Sequence, residues 1–471
     1  MGSFSLYLWY GMDGQNGTIV NITGSTFLQS YDVTTPELDV LALSSSMRDG
    51  GEIYRTAWRN VTETIETMVY GNTKQEVHDQ INEFEKVLNL AARRQRLRAG
   101  EQVFLHFNTD DELTVWRSEV LAGRVELVEG TLAEWANVKA TIRLHITRRF
   151  YWETTTDQEL KLKNGSVGSY QVGGVTIYNH DDGTTGHDNW VDIQGSGISG
   201  MLPTPIKVVA TYTGSSNLDS TDFWLALNNV DTSIQHVIEG ETSTSGGTVV
   251  SDSTASNGQA MQNTWSGAVS GGIGYTFTLS GAELTKLAGH YYRILARFST
   301  PPASGAGVRM YPAIGVPANP VITTLAQGGE VSLDGDELVD LGVLPLPPGL
   351  DNTTYSDMGL FLHYRADAAG SMSLDFLHLS PAHSTLHLKQ NGYYLVANDL
   401  MVVDGIRRLS YIDFKSPPTG AWPILRPYGD WLYVWPGEDH RLTLLVAEGS
   451  TAAIDLTMKI QVYYRPRRLT V

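Results

Sequence analysis

Apolar and polar residues alternate most cleanly at two places in the chain. Near residue 140, Val138, Ala140, Ile142, Leu144 and Ile146 alternate with Lys139, Thr141, Arg143, His145 and Thr147. This period of two predicts a strand with one buried and one wet face. Near the end, Ile454, Leu456, Met458, Ile460, Val462 and Tyr464 alternate with Asp455, Thr457, Lys459, Gln461 and Tyr463, and Arg465-Pro466-Arg467-Arg468 stops the run. Ahead of both, a different period occurs once. Val77, Ile81, Phe84, Leu88 and Ala91 form one stripe at helical spacing, predicting a helix over 74–95. Thr73 and Glu76 are placed as a capping box, Arg93, Arg94, Arg96 and Arg98 crowd the end that favours cations, and Gly100 ends the helix. These arginines read as capping and solubility rather than as a phosphate site.

From residue 158 onward the pattern predicts only strands and loops. Short β-like runs occupy Phe223–Leu227, Tyr291–Phe298, Gly359–Arg365 and Leu374–Leu379, and Leu341 to Gly349 reads as an edge strand passing into a turn. Residues 241–274, rich in Ser, Thr and Gly, read as a long flexible loop. No internal repeat of fixed period occurs. The fold class expected is mainly β with one long helix.

Composition narrows the function. With 471 residues, 41% hydrophobic and 10% aromatic, the chain can bury several cores, about two to four domains. Cysteine is absent, which excludes disulfide scaffolds and Cys-based zinc sites. The formal charge is −18, and residues 201–380 carry 16 acidic and 6 basic side chains, a net of −10. Such a surface repels phosphate and argues against sequence-specific nucleic-acid binding, although an acidic duct would let DNA pass without sticking. No apolar run approaches the ~20 residues of a membrane helix. No signal peptide is expected, Leu6 spoils a myristoylation match, and the Asn-x-Ser/Thr triplets at Asn21 and Asn60 read as chance matches.

The candidate chemical motifs are weak. Gly195-Ser196-Gly197-Ile198-Ser199-Gly200 matches the dinucleotide pattern, yet Leu202-Pro203-Thr204-Pro205 follows where a helix must begin, so a turn-rich loop is preferred. His180, Asp181, Asp182, His187 and Asp188 cluster in one loop and Asp334-Gly335-Asp336-Glu337 in another, both without metal-ligand spacing; they read as solvated turns, and no metal or other cofactor is expected. Serine-elbow, zincin, P-loop and cysteine-nucleophile signatures are missing, which argues against an enzyme. A glycosidase, whose two carboxylates can lie far apart in sequence, is not excluded by the string. Trp224, Trp265, Tyr291 and Tyr292 are candidates for a sugar-stacking face, weighed against the plainer reading that they fill cores.

One segment resembles a known family. Glu52-Ile53-Tyr54-Arg55, Trp58 to Ile65, the capped helix, Trp116-Arg117-Ser118-Glu119 and the strand from Ile142 to Trp152 resemble the N-terminal domain of phage distal tail proteins. The resemblance implies a β-sandwich or split barrel with one helix over residues 1–155, six copies of which form a ring at the end of the tail tube. Residues 156–201 and 386–471, the latter with Trp435-Pro436-Gly437, are similar to the opening and close of that family's galectin-like domain. Residues 202–385 would then be an inserted jelly roll resembling a carbohydrate-binding module. The function implied is a structural adaptor in the virion tail, assembled in the host cytoplasm. Its expected partners are its own copies, the tail tube, the tail-tip hub and receptor-binding proteins, and a host-surface glycan. The rival readings are a receptor-binding or decorating tail protein and a virion glycosidase.

Overall fold

The computed structural model describes residues 4–12, 16–23, 26–31, 33–44, 51–97, 100–109, 114–128, 138–164, 168–178, 188–214, 217–218, 220–230, 236–316, 323–348, 358–389, 394–415, 424–448 and 457–470. The fold is mainly β, as the alternation predicts, and every strand pairing among the described residues is antiparallel. The chain divides into two compact units: Met1–Asp157 with Ser199–Leu202 and Arg465–Val471, and Gln158–Ile198 with Pro203–Tyr464. No helix among the described residues is long and apolar enough to cross a membrane.

The first unit is built on a sheet whose strands run in the order Thr18–Asn21, Phe4–Gly11, Gln102–Thr109, Trp116–Leu127, Lys139–Arg148, Val61–Tyr70, Thr26–Tyr31. Lys139–Arg148 buries Ala140, Ile142, Leu144 and Ile146, the alternating face read from the sequence. The helix spans Lys74–Leu97 and lays Val77, Ile81, Phe84, Val87, Leu88 and Ala91 on that sheet. Its cap differs in detail from a capping box. The Thr73 hydroxyl accepts from the Glu76 N–H at 3.2 Å, but the Glu76 carboxylate accepts from the N–H of Asn72 at 2.7 Å, one residue before the cap. Helix and sheet approach closely at Gly123, where an added Cβ would stand 2.7 Å from Leu88 Cδ2 and 2.8 Å from the His145 carbonyl oxygen.

Two ionic networks are sealed inside this unit. Arg148 and Glu63 are fully buried and meet at 2.6 Å, with the guanidinium 4.4 Å from the Trp152 ring centre. Glu63 also accepts from the Tyr31 hydroxyl at 2.9 Å. Burial, and then the Glu63 charge, push the Tyr31 phenol up, so it stays a donor. In the second network the C-terminal segment closes on the domain. Arg467–Arg468 pairs with Trp152–Thr154, and Glu153 sits among Arg117 at 3.1 Å, Arg467 at 3.2 Å and Arg465 at 3.6 Å. Burial alone would raise the Glu153 carboxyl, but Arg467, Arg117 and Arg465 together hold it below the ordinary carboxylate range.

The second unit holds two hydrophobic cores. One lies between a sheet containing Thr457–Tyr464, Thr204–Tyr212, Leu400–Asp404 and Leu409–Asp413 and another containing Trp190–Ile193, His440–Glu448, Ser220–Asn229, Thr385–Lys389 and Arg426–Gly429. The other lies between a sheet of Thr248–Ser251, Gln259–Trp265, Gly370–Pro381, Tyr291–Thr300 and Leu338–Pro345 and one of Val269–Thr278, Gly359–Ala366, Val308–Val316 and Thr323–Gln327. Within the second unit, the strands up to Asn229 serve the first core. Thr204–Tyr212 pairs with the closing strand, and Ser220–Asn229 lends Phe223, Leu225 and Leu227 to the first core.

Residues 241–274 are not a flexible loop: they include Thr248–Ser251, Gln259–Trp265 and the start of Val269–Thr278. Their glycines permit close backbone contact, since a Cβ on Gly246 would lie 1.6 Å from the Gly274 carbonyl oxygen.

Candidate functional site

The four aromatic residues weighed as a sugar-stacking face against a core role do not share a face. Trp224 is only 6% exposed; its indole lies flat on the His387 ring with centroids 3.8 Å apart, and it forms a small cluster with Leu445, Leu295 and Phe376. Its neighbours Phe223 and Leu225 turn the other way into the first core, so Trp224 joins the two halves of the second unit. Trp265, 7% exposed, packs on Tyr364 and donates from Nε1 to the Ala368 carbonyl at 2.6 Å. Tyr291 and Tyr292 are successive strand residues and point to opposite faces: the first is 63% exposed, the second 1%.

A cleft of about 320 Å³ opens in the second unit where strand ends from both cores meet. Ser220–Asn229 contributes Leu227 and Asn229; the strand at Tyr291–Thr300 and the turn before it contribute Tyr292 and His290. The turn after Gly370–Pro381 adds His383, and the segment approaching His440 adds Tyr433, Trp435 and Glu438. Trp435 is 50% exposed and Tyr433 39%.

The cleft wall is held from behind. The Glu438 N–H donates to the Trp435 carbonyl at 3.2 Å, and Gly437 occupies φ 81°. Gly195 lies so close that a Cβ there would meet the Glu438 carbonyl carbon at 2.4 Å; its N–H donates to Asp439 Oδ1 at 2.6 Å, and its carbonyl accepts from Gly437 at 3.2 Å. The glycine motif at 195–200 therefore includes a short 3₁₀ turn, Gly195–Gly197, that braces this loop. Asn229 donates its amide to the Glu438 carboxylate. His440, buried at the base, accepts the Trp435 N–H on Nε2 at 3.3 Å. Burial lowers its imidazole, against smaller raising effects of the Glu438 carbonyl and the Asp439 charge, so the ring is neutral at neutral pH.

The first unit offers a feature of another kind. Leu38–Ser44 and Gly51–Trp58 form a two-stranded ribbon that pairs with no other described strand. Leu38 and Val40, two apart and so on one face, are exposed; Arg59 at its base reaches Asp39 at 3.1 Å and Glu37 at 3.9 Å.

No family model and no curated protein matches the chain. Among solved structures it is similar to the Dit protein of phage SPP1, described as a paradigm of the hub adsorption apparatus in phages that infect Gram-positive bacteria. That match has 8% identity and a TM-score of 0.37, covering 99% of each chain. It is also similar to chains of the phage p2 baseplate in its activated conformation. The strontium form matches at 11% identity and a TM-score of 0.31, covering 79% of this chain and 98% of that one; the calcium form matches at 11% and 0.30, covering 77% and 98%.

Sequence reasoning passed over Tyr433, Glu438, His290 and His383, and met Trp435 only as part of a family pattern. One local signal was available: a tryptophan followed directly by Pro436-Gly437 sits at a turn, where a large aromatic is seldom interior. The possible metal ligands fare differently. His180, Asp181, Asp182 and His187 lie outside the described residues, Asp334 accepts a local bond from Ser332 at 3.3 Å, and no metal-ligand cluster occurs among the described residues.

Proposed function

We propose that the chain is a structural protein of a bacteriophage tail, an adaptor whose first unit assembles head to tail into a homohexameric ring. In this reading the ring joins the tail tube to the hub and receptor-binding proteins, and the protein has no catalytic role. The domain assignment proposed with it is a ring domain, a galectin-like sandwich and an inserted jelly roll between Asn229 and Thr385. The resemblance carried by Glu52 to Trp152 supports the reading, and one structural observation carries it furthest: the unpartnered ribbon.

An isolated two-stranded ribbon is marginal in water, and its free edges invite a further strand. Leu38 and Val40 add apolar surface that a neighbouring copy would cover. A ribbon reaching one neighbour while the domain receives another's is a heterologous contact, which closes into a ring when the rotation allows. The acidic total charge suits a lumen that DNA crosses without adhering.

Solution mass and negative-stain images of the full chain test this. Six-fold rings with a central hole are expected, and Leu38→Lys with Val40→Lys should leave monomers. A compact trimer would overturn the adaptor in favour of a receptor-binding tail protein, and cleavage of a surface polymer by the pure protein would favour the glycosidase.

A further inference from the structure

We propose that the cleft between Trp435 and His383 is a binding site for a neutral saccharide, one or two sugar rings in length. The inference goes beyond the assembly reading and stands apart from it, since the cleft lies wholly within the second unit of one chain.

Three observations carry it. The first is the kind of surface. Half-exposed Trp435 and Tyr433 supply aromatic area at a concave wall. Aromatic rings pack against the C–H-rich face of a sugar while its hydroxyls stay free to hydrogen-bond. The second is the polar set that faces the same space. Glu438, oriented by the Asn229 amide, has carboxylate lone pairs for hydroxyl hydrogens, and His290 and His383 line the same space with ring nitrogens. Alternating donors and acceptors match vicinal hydroxyls better than they match a peptide strand, which would need a free sheet edge.

The third observation is charge. Among the lining residues there is no Lys or Arg, and the one ionisable acid, Glu438, lies next to Asp439. A phosphate, uronate or sialate would meet a carboxylate with no cation to offset it. The site therefore selects uncharged sugars. A volume of about 320 Å³ sits at the lower end of the ~300–1,000 Å³ found for small-molecule pockets, so a longer glycan would extend out of it.

The wall is also preorganised. Gly195 braces the Trp435–Glu438 turn, Asn229 holds the Glu438 carboxylate, and buried His440 fixes the Trp435 backbone through its N–H. A site held in place before its ligand arrives loses less freedom on binding.

The test uses the full-length protein and an array of neutral hexoses, N-acetylhexosamines and their disaccharides, with galacturonate and glycerol phosphate as anionic probes. Hits are titrated by calorimetry. Saturable binding of at least one neutral sugar is expected, with no binding of the anions. Trp435→Ala should weaken it by about tenfold or more, as truncation of an aromatic anchor does. Glu438→Gln keeps the shape and should weaken it less. Tyr411→Ala, an exposed aromatic on another strand, should leave it unchanged. Because Trp435 and Tyr411 are both exposed, their variants are expected to fold, and thermal melts confirm it. Binding that survives Trp435→Ala combined with Tyr433→Ala, binding of the anionic probes alone, or no neutral ligand on the array would each overturn the proposal. Ring assembly is measured separately, so loss of one reading leaves the other standing.

Discussion

Replacing Arg148 with Met should unfold the first unit at a markedly lower temperature. The guanidinium is fully buried; it bonds Glu63 at 2.6 Å and the Arg149 carbonyl at 2.8 Å, and lies over the Trp152 ring. Methionine fills much of the space but leaves the Glu63 carboxylate in the interior with only neutral donors, the Tyr31 hydroxyl at 2.9 Å and the Thr34 N–H at 3.4 Å. Breaking a buried pair from one side costs about 3–5 kcal/mol, because the remaining charge has lost its partner. For a domain of this size, about 2–4 °C of Tm follows each kcal/mol, so a fall of roughly 6–20 °C is expected. The pair itself need not be a net source of stability: its desolvation offsets much of its Coulomb gain. Arg148→Met together with Glu63→Leu should therefore recover most of the loss. Calorimetric scans of the full chain, with the first unit's transition assigned by limited proteolysis, measure both variants. If the single variant melts within about 2 °C of the parent, or the double is no better than the single, the buried charge is not what the interior depends on.

Other outcomes follow from the same packing. Gly123→Val would place its Cβ within 2.7 Å of Leu88, and overpacking of this kind costs about 1–3 kcal/mol, read as a lower denaturant midpoint for the first unit. In the second unit, burial pushes Asp375 up to about 6 from 3.8, although Arg297, the first of the opposing influences, pulls it down. The folded state then holds this proton more tightly than the unfolded chain, so stability should fall as pH rises from about 4 to 6, by up to about 3 kcal/mol. Denaturant midpoints across that window check this, and Asp375→Asn should flatten the slope.

How much of this was legible in the sequence depended on whether period and environment agreed. The helix over Lys74–Leu97 has one apolar stripe and meets one sheet, so its spacing and its burial agree. Lys139–Arg148 likewise has one face against the core. Ser220–Asn229 is buried on both faces, Phe223 and Leu225 toward one core and Trp224 toward the joint. Alternation has no meaning there, so Trp224 could not be told from an exposed platform. In residues 241–274 the glycines suggested mobility because a string cannot show what stands opposite. In the fold the Gly246 backbone lies against that of Gly274, and the Gly247 backbone against Gln262.

The cleft shows a further limit of sequence reading, and its cause is geometric. Asn229, Tyr292, His383 and Glu438 are spread over more than two hundred positions, and no spacing rule relates them. They converge because Ser220–Asn229 serves two cores at once. Its inward residues anchor it in the first sandwich, Trp224 packs against Leu295 and Phe376 of the second, and the end of the same strand delivers Asn229 to Glu438. A joint made of two β-sandwiches leaves strand ends and turns facing each other at its margin, where polar and aromatic residues can collect without disturbing either core. The strands after Asn229 thus do more than enclose a second core: by packing against Trp224 and Leu445, they create a wall that neither core has alone. A binding site of this origin is recognised by the fold that brings its parts together, and its residues individually look like the ordinary furniture of turns.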